Sequence, residues 1–184
     1  MSNYNKIEVT QQTKNWIGKV VIGLNFCPFA KREFMRDSIR YMVSDKKNLK
    51  EVLLELIEEL KFLDGNASTE TTLLIYPNLF ADFEDYLDLV GMGEDFLRQL
   101  NYEGVYQLAS FHPQYQFGGT EADDASNFTN RSPYPILHLL REESLENALE
   151  HYDAPEDIPE RNIQVAEQHG FKVLQKLLLD CYKV

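Results

Sequence analysis

Four short apolar segments constrain this chain more than any other feature of it. Residues 38–44 alternate Ile39, Tyr41 and Val43 against Ser38, Arg40 and Met42, the period of a half-buried strand. Residues 71–76 form a second strand, and residues 105–111 and 136–140 are apolar enough for central strands. Amphipathic helices fill the intervals. Val9, Thr13, Trp16, Ile17, Val20, Val21 and Leu24 recur at helical spacing up to Gly23. Asn48 is placed to cap a helix carrying Leu49, Val52, Leu53, Leu56, Ile57 and Leu60, which stops at Asp64-Gly65. Residues 80–100 also read as helical. Gly91 and Gly93 each weaken that stretch by about 1 kcal/mol relative to Ala, leaving two helices as an alternative. Ser144 begins a short helix, and after Pro155 and Pro159 a last helix spans residues 161–182. Strands alternating with helices favour parallel crossovers for the first three strands, and the last two are placed to pair antiparallel. The expected fold is α/β: a single domain over residues 1–184 with a mixed four-stranded sheet covered by helices.

The 184 residues, 43% hydrophobic and 26% charged, can bury enough surface to fold without disulfides or metal. Cys27 and Cys181 make neither a disulfide framework nor a zinc cluster. Residues 1–12 lack a basic stretch followed by an apolar one, and no apolar run is long enough for a membrane span. These features predict a cytoplasmic protein with reduced thiols and no membrane partner. A net charge of −12 repels phosphate backbones and argues against nucleic-acid binding. The charge is uneven: residues 1–50 hold ten Lys/Arg against four Asp/Glu, and the rest hold eight against twenty-six. Lys31, Arg32, Arg36 and Arg40 belong to the basic part, most simply as a solvated face. The sequence carries no signal for an oligomeric state.

Two segments offer chemistry. In the first, residues 23–31, Pro28 keeps Cys27 out of the helical region and suits the first turn of a helix. That would make Cys27 an N-cap residue. A thiolate there faces the positive helix end, and Lys31 and Arg32 would lower its pKa further. The competing reading is a small buried residue between Phe26 and Phe29. Cys-Pro-Phe-Ala also invites comparison with the Cys-Pro-x-Cys of thioredoxin-like oxidoreductases, whose strand order the pattern above would allow. Ala30 rules out the dithiol form, and the motif precedes the first strand.

The second segment, residues 112–135, separates two apolar strands with almost no aliphatic side chains. A connection this long is a functional loop, a disordered one or a structural loop folded on its own aromatics. Its aromatic residues Tyr115, Phe117, Phe128 and Tyr134 argue against disorder. His112, before a proline at a strand end, is a candidate general base. Asp123 and Asp124 could orient a histidine, and Arg131 with Asn127 and Asn130 could hold a carboxylate or phosphate. Gly118-Gly119 allows close approach of backbone to ligand. For each of these residues taken alone, a role in a turn or cap is the simpler reading. No phosphate loop, zinc-protease motif or paired C-x-x-C occurs, so neither cofactor nor metal is expected. His138 shares a strand face with Ile136 and Leu140 and reads as a satisfied core residue; His151, His169 and Cys181 read as surface, surface and packing.

These two segments, together with residues 158–163 (IPERNI), resemble a family of bacterial proteins catalogued as a domain of unknown function, number fourteen-fifteen in that series. Phe-His-Pro, Asn-Arg-Ser-Pro-Tyr-Pro and His-Leu-Leu-Arg-Glu occur in order, and the similarity covers nearly the whole chain. The resemblance implies a cytosolic bacterial protein and transfers no catalytic residue.

The functional expectation is an enzyme or binder of an anionic small molecule, in a cleft between the Cys27 turn and the 112–135 loop. Cys27 would be nucleophile, His112 its base, Asp123 or Asp124 the orienting group, and Asn127, Asn130 and Arg131 the anion holders. The alternative is a non-catalytic protein-interaction module built on acidic helices and the aromatic loop.

Overall fold

A computed structural model describes residues 4–184. Strands β1 (Ile39–Val43), β2 (Thr71–Ile75), β3 (Tyr106–Phe111) and β4 (Ile136–Arg141) form one sheet in the order β1-β2-β4-β3. β1 and β2 are parallel, with Tyr41 opposite Leu73. β4 runs antiparallel to β2, with Leu74 opposite Leu137, and to β3, with Leu108 opposite Leu139. The first three strands therefore share one direction and the last two pair antiparallel, as the alternation of elements predicts. β3 is an edge strand rather than a central one, because β4 is its one partner and Tyr106 its one buried residue.

Helices cover both faces. On one, α1 (Lys6–Trp16), α6 (Ile158–His169) and α7 (Phe171–Leu179) bring Val9, Trp16, Ala166 and Leu174 onto Val43, Leu73, Ile75 and Ile136. On the other, α3 (Leu49–Gly65) and α4 (Phe83–Gln99) bring Val52, Leu56, Leu60, Tyr86 and Leu89 onto Leu74, Leu137 and Leu139. Each fully buried leucine contributes about 2 kcal/mol through area removed from water. Two shorter helices, α2 (Ala30–Met35) and α5 (Glu142–Glu150), flank β1 and follow β4 in the chain. Among the described residues no helix is long and apolar enough to cross a membrane.

Local chemistry sets most element ends. The Asn48 side chain accepts from Glu51 N at 3.0 Å, and Asp82 caps α4 by accepting from Glu84 N at 2.9 Å. α4 is one helix despite its glycines. Gly93 is where it presses on β3: a Cβ there would stand 2.8 Å from Leu108 Cδ1. The expected single C-terminal helix is instead two, since Gly170 at φ 75°, ψ 157° turns the chain between α6 and α7. α5 starts directly after β4 and two residues before Ser144, without a side-chain cap. α1 passes into a π-helical segment, Ile17–Ile22, and beyond it Phe26 N donates to Val21 O at 2.9 Å.

Candidate functional site

The Cys27 turn follows that π segment. Asn25 adopts the left-handed region at φ 55°, which asparagine tolerates, and the chain then reverses through Pro28 into α2. Phe29, not Cys27, is the N-cap residue of α2. The backbone N–H groups of Phe29 and Ala30 nonetheless face the Cys27 sulfur, and the Arg161 charge is near it. These favour a thiolate, but burial outweighs them and pushes the thiol pKa up. The expected depression of the Cys27 pKa is thus reversed. Lys31 is exposed and Arg32 pairs with Glu33 at 3.4 Å, so neither reaches the sulfur as the sequence spacing suggested.

α6 holds this turn in place. Asn162 Nδ2 donates to Phe26 O at 2.6 Å, and Arg161 donates to Asn25 O at 2.8 Å and to the Tyr152 hydroxyl at 2.6 Å. Both residues lie in the IPERNI segment, whose Pro159 sits in the first turn of α6.

The 112–135 loop is folded on its own hydrogen bonds around a 3₁₀ turn, Ala125–Thr129. Fully buried Asn127 accepts from Phe117 N at 3.0 Å and Thr120 Oγ1 at 2.9 Å, and donates to Glu121 O at 2.8 Å. Asn130 Nδ2 donates to Ser110 O at 3.0 Å, tying the loop to β3. Arg131, 9% exposed, donates to Tyr115 O at 3.0 Å and Ala122 O at 2.7 Å, with its guanidinium over the Phe128 ring at 4.8 Å. Asp124 accepts from Ser126 N at 2.8 Å, and the Ser126 hydroxyl and N–H together hold its carboxyl below the usual range. Asp123 is exposed. Gly119, at φ 85°, completes the turn closed by Thr120 N donating to Phe117 O at 3.1 Å.

Turn and loop share one cavity of about 550 Å³. Val21, Phe26 and Cys27 form one wall, with Phe111 at the end of β3. Phe117, Thr120, Ser126, Thr129 and Asn130 supply the loop wall, and Ile158, Pro159, Asn162 and Ile163 the α6 wall. The volume lies in the range of small-molecule sites, and the lining is predominantly apolar with a few polar groups.

Several expected partners of Cys27 are elsewhere. Side chains alternate across a sheet, so with Phe111 turned to the cavity its neighbour His112 turns to the α4 side. There its ring packs 5.1 Å from both Phe83 and Tyr86. Nδ1 accepts from Gln114 N at 3.0 Å and Nε2 donates to Phe80 O at 2.9 Å. Burial lowers its pKa, against the Phe80 carbonyl and the Asp82 charge. His112 is a neutral structural pin, with no lone pair left for a base. Arg131 and Asn127 likewise spend their side chains inside the loop and do not line the cavity; Asn130 does. His138 is satisfied within the sheet. The Thr71 hydroxyl donates to Leu139 O and accepts from His138 Nε2 at 2.6 Å, while burial pushes the ring pKa down to about 4. Among the described residues no three His, Cys, Asp or Glu side chains gather as a metal site.

The site residues that single-sequence reasoning misses are Thr120, Ser126, Ile158, Asn162 and Ile163. The one signal for the α6 wall is the IPERNI segment itself, a proline-started helix carrying an Arg-Asn pair. The fold and cleft together define a mixed-sheet α/β protein with an apolar side cavity. The chain belongs to the family described as protein of unknown function DUF1415, whose model matches residues 8–176. No curated protein and no solved structure matches it.

Proposed function

We propose that this protein binds a small molecule in the cleft between the Cys27 turn, the 112–135 loop and α6. The observation that carries this reading is the cavity itself. Three segments far apart in sequence wall it, and hydrogen bonds tie them to one another and to the sheet, Asn162 to Phe26 O and Asn130 to Ser110 O. The π-helical segment supports it too, since such segments are rare and recur at functional sites, and its Val21 lines the cleft. In this reading Cys27 is a protonated wall residue, not a nucleophile served by His112. Arg131 stabilises the loop that forms one wall.

The test is a fragment screen by two-dimensional amide NMR on the wild-type chain and on Ile163→Trp, which fills the cavity from α6. Fragments should shift resonances of residues 26–27, 117–130 and 158–163 in the wild type, and those shifts should vanish in the filled variant. Fragment shifts confined to other surfaces, or unchanged by Ile163→Trp in a folded protein, would defeat the proposal.

A further inference from the structure

The charge and hydrogen-bond inventory of the cleft says which class of molecule it accepts, an inference that rests on the small-molecule reading above. None of the side chains lining the cavity is charged. Arg131 and Arg161 are outside the lining and engaged, Arg131 with Tyr115 O and Ala122 O, Arg161 with Asn25 O, the Tyr152 hydroxyl and Asn162 Oδ1. A carboxylate or phosphate entering here would exchange its hydration for a largely apolar wall with no charged side chain in it, a costly transfer for an ion. Charges of both signs flank the wall, Arg161 near the Cys27 sulfur and Asp124 accepting from Ser126 N at 2.8 Å, so the flanking charge selects neither anion nor cation. The chain's net charge of −12 adds a long-range repulsion of anions.

Most polar side chains of the lining are also occupied. Thr120 Oγ1 is bonded to Phe117 O and Asn127 Oδ1, Thr129 Oγ1 to Ser126 O, and Asn130 and Asn162 each use both ends of the amide. Spare capacity remains at the wall in the lone pairs of the Thr120 and Thr129 hydroxyls and in one amide N–H each of Asn130 and Asn162. Two adjacent N–H groups already face the Cys27 sulfur.

We infer that the cleft takes an uncharged, largely apolar molecule. Its apolar body meets Val21, Phe26, Phe111, Phe117, Ile158 and Ile163. This replaces the anionic ligand that Arg131 suggested in the sequence.

Four probes of one skeleton test it at pH 7: 2-phenylethanol, phenylacetate, 2-phenylethylammonium and ethylbenzene. Dissociation constants are read from amide shifts of cleft residues, and Cys27 alkylation by iodoacetamide, followed by mass spectrometry, gives protection by each probe. The alcohol should bind roughly tenfold or more tightly than either ion. Ethylbenzene should likewise bind more tightly than either ion. If phenylacetate or the ammonium ion matches the alcohol in the cleft, the neutral-ligand inference is overturned while the small-molecule reading stands. If no probe moves a cleft resonance or protects Cys27, the reading beneath it fails as well.

Discussion

Arg131→Ala should unfold the 112–135 loop's anchoring and cost about 3 kcal/mol. The wild-type guanidinium makes two charge-assisted bonds to carbonyls, 3.0 Å to Tyr115 and 2.7 Å to Ala122. Each is worth about 1.5–3 kcal/mol, and stacking on Phe128 and Phe171 adds about 1 kcal/mol. Against that stands the desolvation of the guanidinium, visible as a pKa lowered by burial, and water can reach the freed carbonyls of a surface loop. The net loss of about 3 kcal/mol corresponds to a fall in Tm of about 6–12 °C for a chain of this size. Urea unfolding gives the free energy, and hydrogen exchange shows where it acts: amides of residues 115–131 should lose protection first. Arg131→Lys should recover less than half of the loss, because an ammonium cannot span both carbonyls as a fork does. A loss below about 1 kcal/mol with loop protection unchanged would refute the structural role given to Arg131.

Other substitutions and titrations probe the remaining assignments. Cys27 should alkylate more slowly than a free thiol at pH 7.5 yet faster than Cys181, whose pKa burial pushes up to about 11; a Cys27 rate profile with a midpoint below 8 would contradict the raised pKa. His138 should stay neutral down to about pH 5, so its ring proton shifts should have a midpoint near 4, and a midpoint above 6 would show that the Thr71 pairing is misassigned. Because both His112 and His138 have folded pKa values below the unfolded one, their contribution to stability is complete above about pH 6.5 and is lost as pH falls through the folded values; His138→Gln should flatten that acid limb. Buried Glu55 has an oxygen without a partner and a pKa raised by burial, so its ionisation opposes folding as pH rises through the folded value. Glu55→Gln should therefore raise Tm at pH 7.5 and leave it unchanged near pH 4, and equal effects at the two pH values would show that charge is not the cause.

Periodicity along single segments made most of the fold legible. The strand at residues 38–44, the Asn48 cap and the stripe through Val52, Leu56 and Leu60 are local patterns, and local sterics and burial enforce them in the structure. The same local logic made the two chemically rich segments visible, and both line the cavity. Where it failed, a single backbone angle or a distant neighbour decided. Gly170 broke the last helix through its φ, although the apolar stripe runs on across it.

The roles of the polar residues were a tertiary matter throughout. Cys27 beside Pro28 and two basic residues looks activated in sequence, yet its pKa follows burial against α6, more than 130 positions away. Arg131 and Asn127 look like anion holders, yet they answer backbone carbonyls and N–H groups that a long loop exposes when it folds on itself. Strand alternation was enough to separate His112 from a cavity that holds Phe111, once the face of Phe111 was known, and only packing of α1 and α6 on that face settles it. The sequence by itself determined which segments form strands and helices, because those depend on neighbours within a few residues. The tertiary structure alone decided which polar groups remain available for a ligand, because a hydrogen bond's partner is chosen by proximity in space and each one made within the fold removes a donor or acceptor from the site.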